Sequence, residues 1–252
     1  MHANLLKSYP VTDRDTLYVF ECPEIAQKAC PGQFVELKLT DGADPYLRRP
    51  ISIFDADGDR TFSLLVRTVG RGTALMSRWE PGIVVDVIGP LGNGFSWKET
   101  DESCLLVAGG IGLAPLNYLI RMLQSEHKRI RVVFSPKRDS ELLEALSGLA
   151  PMETYFAQNR TEVPVVLNEL LSEQTDLIFA CGPEGLLATV ANAAREHGIP
   201  CEVSMERRMG CGIGICVGCA VAVRGEHGAI YKKACKDGPV FWGEEVIFHE
   251  ES

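Results

Sequence analysis

The chain has 252 residues, which is enough for one large domain or for two to three small ones. Hydrophobic residues make up 46% of it without any run long enough to span a bilayer, so we expect a globular protein with a buried core. A net charge of −9 argues against binding to nucleic acids or to anionic membranes.

Residues 1–98 are predicted to be all-β. Residues 35–39 alternate apolar and polar side chains, with Glu36 among the polar ones, which is the period-two pattern of a half-buried strand. Residues 61–67 alternate in the same way, apart from Leu65. Turn-forming glycine and proline pairs separate these runs. Short strands at this spacing predict a small antiparallel barrel or sandwich.

Residues 99–205 differ from the all-β region before them, because predicted strands alternate with predicted helices. Residues 104–108 form a continuous apolar run, typical of a strand buried on both faces, and a segment with one apolar helical face follows. The later strands are predicted at 130–134, 154–157, 177–180 and 201–205, and the later helices at 139–146, 165–171 and 183–197. This alternation predicts a doubly wound parallel sheet.

Residues 206–252 are rich in cysteine and glycine, and strands are predicted at 220–223 and 246–248. About 45 residues can hardly bury a stable hydrophobic core without an additional cross-link. A bound metal cluster would supply such a cross-link. We therefore expect three units: a β-barrel, an α/β domain and a small C-terminal metal domain.

Nine cysteines are many for a chain that lacks the basic start and apolar core of a signal peptide and is therefore predicted to be cytoplasmic. Disulfides are rare in a reducing compartment, so clustered cysteines indicate metal or redox chemistry. Four of the nine lie between Cys211 and Cys235. The others are expected to be small buried hydrophobic residues: Cys22, Cys30, Cys104, Cys181 and Cys201.

The spacing of the clustered cysteines is Cys211-x4-Cys216-x2-Cys219-x15-Cys235, which matches plant-type 2Fe–2S sites. Three thiolates from one loop would wrap the cluster, and glycines between them let the loop turn and bring backbone N–H groups to the sulfurs. A structural zinc site is the alternative. Zinc ligands usually come as two C-x2-C pairs, whereas Cys235 stands alone, so the spacing favours iron–sulfur.

Two segments of the β region could bind a phosphate-bearing cofactor. Arg49 could clamp a pyrophosphate, and the hydroxyl of Ser52 could reach a flavin ring. The stretch from Arg67 to Thr73 offers a basic side chain, flexible glycines and amides at a predicted helix start. A solvated basic turn is the alternative for each segment taken alone.

The α/β region carries a glycine-rich turn, Gly110-x-Gly112-x-x-Pro115, between its first strand and helix. Such a turn lets a pyrophosphate approach a helix N-terminus, and proline fits the first helical turn. Ser135, Pro136, Lys137 and Arg138 follow the second strand with no acidic residue before Asp139 to hold a ribose 2′-hydroxyl. The basic pair could instead meet a 2′-phosphate, so NADP stays open beside NAD.

The pattern Arg49-x-x-Ser52 resembles the R-x-Y-S/T flavin motif of the ferredoxin–NADP reductase superfamily, with Ile51 at the tyrosine position. Cys181-Gly182-Pro183 is similar to the superfamily motif that borders the nicotinamide. Other stretches resemble one branch, the electron-transfer subunits of class 1B dihydroorotate dehydrogenase: Arg49 to Ser52, Gly72-Thr73, Gly89 to Phe95, Ser204 to Cys216, and Gly238 to Phe241.

The resemblance implies three cofactor domains: an FAD-binding barrel (1–98), an NAD-binding α/β domain (99–205) and a 2Fe–2S domain (206–252). The implied FAD residues are Arg49, Pro50, Ile51, Ser52, Val66, Arg67, Thr68, Gly72 and Thr73. The implied NAD residues are Gly110, Gly112, Pro115, Cys181, Gly182 and Pro183, and the implied cluster ligands are Cys211, Cys216, Cys219 and Cys235.

The implied function is electron transfer from a partner FMN-containing dihydroorotate dehydrogenase subunit, through the cluster and FAD, to NAD. Two copies of each subunit are expected, with no acid–base dyad of this chain's own. One alternative is a similar reductase subunit of a sulfide dehydrogenase, hydrogenase or transhydrogenase complex. The other is a zinc-stapled interaction module.

Overall fold

The computed structural model describes residues 1–42, 44–135, 141–142 and 153–248, without the side chain of residue 160. The N-terminal third is an antiparallel sheet of seven strands in the order β4-β3-β7-β1-β2-β6-β5, and it forms the expected barrel. The strands are β1 His2–Pro10, β2 Asp15–Glu21, β3 Phe34–Leu37, β4 Arg49–Ser52, β5 Asp55–Ala56, β6 Thr61–Arg67 and β7 Val84–Leu91. Two short helices, α1 Pro23–Ala26 and α2 Arg71–Met76, cover it.

The alternation in β6 explains how the barrel packs. Phe62, Leu64 and Val66 point into the barrel core, as predicted. Leu65 points the other way and is equally buried, because it packs in the core of the α/β domain. The apparent exception in the pattern therefore marks the surface where the two domains meet.

The predicted doubly wound sheet is confirmed. Its strand order is β10-β9-β8-β11-β12-β15, in which the first five strands are parallel. The elements are β8 Ser103–Gly109, β9 Arg129–Ser135, β10 Glu153–Phe156, β11 Leu177–Cys181 and β12 Cys201–Ser204, with α3 Leu113–Ser125, α4 Val163–Leu171 and α5 Glu184–His197. Most of the helix predicted at 139–146, and residues 136–138, lie outside the described residues.

The C-terminal segment forms a hairpin of β13 Ala220–Gly225 and β14 Gly228–Lys233, followed by β15 Val240–Trp242. β15 pairs antiparallel with β12 and so extends the α/β sheet. The strand predicted at 246–248 is wrong: within it only Val246 forms an isolated bridge, to Val223. Its apolar residues pack on the hairpin and the sheet without continuing a ladder.

Two further expectations fail for identifiable reasons. Cys30 is exposed, because it sits in the turn between α1 and β3, so it is not a buried hydrophobic residue. Glu36 lies on the polar side of its strand but is only 1% exposed. The loop that carries Cys211, Cys216 and Cys219, here called the cysteine loop, covers that side.

Helix α3 fastens the α/β domain to the barrel. The Asn117 side-chain amide donates to the Phe54 carbonyl, and Arg121 donates to the Asp55 carboxylate at 2.7 Å. Since α3 begins directly after the glycine-rich turn, these bonds fix that turn relative to the barrel. None of the helices described is both long and apolar enough to cross a membrane.

Candidate functional site

A cleft of about 1180 Å³ lies where the barrel, the α/β domain and the start of the C-terminal segment meet. The ends of β4 and β6, the turns after β8 and β11, and the stretch from Ser204 to Met209 form its walls. All predicted flavin and nucleotide residues except Thr68 line it, namely Arg49, Pro50, Ile51, Ser52, Val66, Arg67, Gly72, Thr73, Gly110, Gly112, Pro115, Cys181, Gly182 and Pro183. Thr68 is exposed, and its backbone N–H donates to the Arg14 carbonyl.

Arg49 is held in place on the barrel wall by backbone groups. Its Nη1 donates to the carbonyls of Leu47 and Arg48, at 2.7 and 3.2 Å. A Cβ at Gly72 would lie 2.8 Å from the Arg49 Nε, so only glycine lets the guanidinium lie against the start of α2. No carboxylate among the described residues pairs with Arg49. An unpaired guanidinium on a cleft wall suits a phosphate oxygen.

Thr73 shapes the turn before α2. Its hydroxyl accepts hydrogen bonds from the backbone N–H groups of Val69 and Gly70, at 2.9 and 3.2 Å. These bonds close the turn that brings Gly72 to the cleft. The hydroxyl therefore organises the backbone beside the predicted flavin residues Arg49 and Gly72.

Arg67 differs from Arg49 because its charge is already paired. Its guanidinium donates to both oxygens of the buried Asp15, at 2.7 and 2.9 Å. Burial would raise the pKa of Asp15, but the hydrogen bonds from Arg67 and Thr12 hold this pKa below its ordinary value. The pair fixes the end of β6, which lines the cleft.

The predicted nucleotide wall, which carries Gly110, Gly112, Cys181 and Gly182, consists of two turns packed backbone to backbone. Cys181 at the end of β11 pairs with Ala108 in β8, so the turns that follow lie side by side. A Cβ at Gly112 would lie 2.6 Å from the Cys181 carbonyl carbon, and one at Gly182 would lie 2.9 Å from the Gly109 Cα. Close approach thus requires these glycines. Such crevices at the carboxyl ends of parallel strands bind nucleotides, with phosphates at a helix N-terminus.

Cys181 is partly exposed because it lines the cleft, so it is not the fully buried residue expected from its apolar surroundings in the sequence. Dense surroundings raise the pKa of this thiol to about 12, and the nearby charge of Glu206 adds to the effect. It is therefore a neutral thiol at physiological pH, and not a nucleophile.

The four clustered cysteines converge as two pairs. The Cys216 backbone N–H donates to the Cys211 sulfur at 3.3 Å, and the Cys235 thiol is hydrogen-bonded to Cys219. The Gly214 backbone N–H donates to the Cys235 sulfur at 3.1 Å, and Gly214 has φ +82°. Among the described residues, no three His, Cys, Asp or Glu side chains are grouped to hold a single metal ion.

The donor set fits a two-iron cluster. Such a cluster takes two thiolates on each iron. The four cysteines present their sulfurs two by two, and backbone N–H groups of the loop donate to the Cys211 and Cys235 sulfurs. The backbone N–H groups of Cys216 and Ile213 lower the pKa of Cys211 to about 6, which favours a thiolate. Burial, together with the contact to Cys219, raises the pKa of Cys235 to about 12, so metal binding there releases a proton.

Some residues at the site are not among the predicted cofactor and cluster residues. Met209 and Pro239 line the cleft and flank the cysteines on the chain, and Arg207 pairs with Glu184 at 2.8 Å to hold the start of α5. Glu36 lies under the cysteine loop. Only the three-dimensional meeting of barrel, sheet and loop reveals these roles.

This combination of barrel, doubly wound sheet, shared cleft and cysteine loop defines the class: flavin- and nicotinamide-dependent reductases of the ferredoxin–NADP reductase fold with an added iron–sulfur domain. Residues 206–247 match the model of the iron–sulfur cluster binding domain of dihydroorotate dehydrogenase B. Residues 89–202 match that of the N-terminal domain of DmmA-like dimethylamine monooxygenase subunits.

Relatives and solved structures narrow the class. The dihydroorotate dehydrogenase B (NAD(+)) electron transfer subunit of Desulforamulus reducens is 34% identical over 98% of this chain and 97% of its own. That of Caldanaerobacter subterraneus is 35% identical over 88% of this chain and 89% of its own. A solved NADH-dependent reduced ferredoxin-NADP oxidoreductase has a TM-score of 0.83 at 28% identity, covering 98% of this chain and 90% of that chain. The chain belongs to the family of dihydroorotate dehydrogenase B electron transfer subunits.

Proposed function

We propose that this chain is the electron transfer subunit of an NAD-linked dihydroorotate dehydrogenase, passing electrons from a dihydroorotate-oxidising partner to NAD⁺. The observation that carries this function is the single cleft shared by the proposed flavin residues, the proposed nicotinamide turn and the segment leading to Cys211. Nicotinamide exchanges two electrons as hydride, whereas an iron–sulfur cluster exchanges one. A flavin between them accommodates both.

For FAD, we propose that Arg49 binds the pyrophosphate and that Ser52 faces the ring. The support is the unpaired guanidinium held on the cleft wall and the position of Ser52 on the same strand, β4. Gly72 and Thr73 shape the backbone near the phosphate, while Pro50, Ile51, Val66, Arg67 and Thr68 complete the proposed FAD set.

For the nucleotide, we propose that Gly110, Gly112 and Pro115 cradle the pyrophosphate and that Cys181, Gly182 and Pro183 border the nicotinamide. The packed turns leave no room for a side chain at Gly112 or Gly182. We propose NAD over NADP because the relatives are named for NAD(+).

For the cluster, we propose Cys211, Cys216, Cys219 and Cys235 as ligands of a 2Fe–2S centre. The three cofactor regions correspond to residues 1–98, 99–205 and 206–252, with β15 returning into the α/β sheet. The chain's own residues bind and orient the cofactors and exclude water, and none of them needs to act as an acid or base on dihydroorotate.

For the partner, we propose an FMN-containing catalytic subunit, two copies of each, in the cytoplasm. The relatives' names support a separate catalytic subunit. The cysteine loop presents Ile213, Ile215 and Val217 to solvent, with 45%, 78% and 74% exposure. Apolar side chains beside the proposed cluster ligands support docking of the partner there.

The test begins with the full chain isolated anaerobically and analysed for released flavin, iron, sulfide and zinc. We expect one flavin and two irons with two sulfides per chain. The chain is then mixed with a dihydroorotate-oxidising FMN subunit, and NAD⁺ reduction by dihydroorotate is followed. Stoichiometric zinc without iron would instead support the interaction module. A loaded chain that never passes electrons from dihydroorotate would support a different complex, which the relatives' names do not favour.

A further inference from the structure

Glu36 is a carboxylic acid buried at the centre of the molecule. It lies on β3, between Pro50 of β4 and Ile88 of β7, and is 1% exposed. Its neighbour Pro50 lines the cleft. Because directly paired residues point to the same face of a sheet, Glu36 lies on the face that Pro50 shares with the proposed flavin site.

The Glu36 carboxyl has no hydrogen-bond partner among the described residues: both oxygens are fully buried, and neither accepts a bond. The two nearby arginines are engaged elsewhere. Arg48 pairs with Asp86, and Arg49 donates to backbone carbonyls. A buried carboxyl without donors costs stability, so the fold gains nothing from it.

The side of Glu36 that would face solvent is covered by the cysteine loop. A Cβ at Gly212 would overlap the Glu36 Cγ and Oε1 and would lie 2.7 Å from its Cδ. The carboxyl therefore touches the backbone immediately after Cys211. Burial raises the pKa of Glu36 to about 7, the guanidinium charges of Arg48 and Arg49 oppose that rise, and the Cys211 charge adds to it.

We propose that Glu36 tunes the iron–sulfur centre, its charge lowering the reduction potential of the cluster held by the adjacent loop. The reasoning is electrostatic. Adding an electron next to a buried negative charge is unfavourable. No hydrogen bond from the described residues offsets this charge, and the guanidinium charges of Arg48 and Arg49 offset it only in part, since burial still raises the pKa of Glu36. A lower cluster potential drives electrons onward to the flavin. This inference rests on the proposed cluster ligands.

The test compares the wild-type full chain with Glu36→Gln and Glu36→Met, each isolated with flavin and cluster. The cluster's midpoint potential is measured by an EPR-monitored redox titration at about pH 9, where the carboxyl is ionised. Both variants should shift the potential upward, while flavin reduction by NADH stays within twofold. Glu80→Gln is the matched control, because it removes an exposed carboxylate from the same barrel and should shift nothing.

Thermal unfolding gives a second readout. Glu36→Met removes an unpaired buried carboxyl, so it should unfold at a higher temperature than the wild type. The inference is overturned if either variant, with full iron and sulfide content, keeps the wild-type potential. Loss of the cluster from both variants would also overturn it, since Glu36 would then be structural. A wild-type chain without a cluster signal would instead refute the proposed function on which the inference depends.

Discussion

Replacing Gly112 with alanine tests the nucleotide wall most directly. The new Cβ would lie 2.6 Å from the Cys181 carbonyl carbon and 2.9 Å from the Gly182 nitrogen. Carbon atoms in contact lie about 3.5–4.0 Å apart, so the two turns must separate by roughly 1 Å. Both sides are backbone, so no side chain can swing away to relieve the overlap.

Two magnitudes follow for Gly112→Ala. Overpacking of this kind costs about 1–3 kcal/mol of stability, and backbone on both sides places it near the upper end. A displacement of about 1 Å in a group that positions a substrate costs about 10²-fold in rate. We therefore expect flavin reduction by NADH to slow by about that factor, with flavin and iron content unchanged.

The assay is anaerobic stopped-flow reduction of the bound flavin over a range of NADH concentrations. Gly42→Ala is the matched control, because among the described residues its Cβ would meet only the Thr40 hydroxyl, at 3.4 Å. If Gly112→Ala reduces its flavin within twofold of the wild-type rate at every NADH concentration, the two turns do not form the nicotinamide wall.

Four other substitutions test three separate parts of the molecule. Cys219→Ser should remove or damage the cluster while NADH still reduces the flavin, and an unaltered EPR signal would contradict the ligand set. Arg49→Ala or Ser52→Ala should lower flavin content or slow flavin reduction. Wild-type flavin content and reduction rate in both variants would show that the flavin binds elsewhere. Asp15→Asn should destabilise the chain by about 3 kcal/mol at pH 7, because Arg67 loses its buried partner. Since the folded pKa of Asp15 is lowered, the pair stabilises above the unfolded value of about 3.9, and the difference in unfolding temperature should vanish as pH falls through the lowered folded value.

Local pattern predicts most of the fold. The alternation in β6 and the apolar face of α3 each follow from the period of one element, and their buried residues are the expected ones. The cysteine spacing likewise identifies the loop, because its ligand positions depend on a short stretch of chain. These features can be predicted without knowing which distant segments of the chain they contact.

The rest depends on which segments meet. The pattern of β3 assigns Glu36 to a polar face, and only the cysteine loop, some 175 residues later, makes that face an interior. Arg49 and Arg67 are both basic residues beside predicted turns, yet Asp15 pairs with one of them alone. Sequence supplies two candidate phosphate ligands, and the structure decides which guanidinium is unpaired.

Packing and backbone hydrogen bonds hold the short, cysteine-rich C-terminal segment in a fixed position. It was expected to need a metal staple, but its buried residues, including Val221 and Phe241, pack in the same core as the α/β sheet. Asn93 of the barrel donates to the carbonyl of Gly238, and Met205 donates to that of Pro239. The barrel and the end of the α/β domain therefore both hold the segment between Cys235 and β15. The cluster is therefore needed to order only the loop that carries Cys211, Cys216 and Cys219. Removing the cluster should disturb that loop while β13, β14 and β15 stay packed.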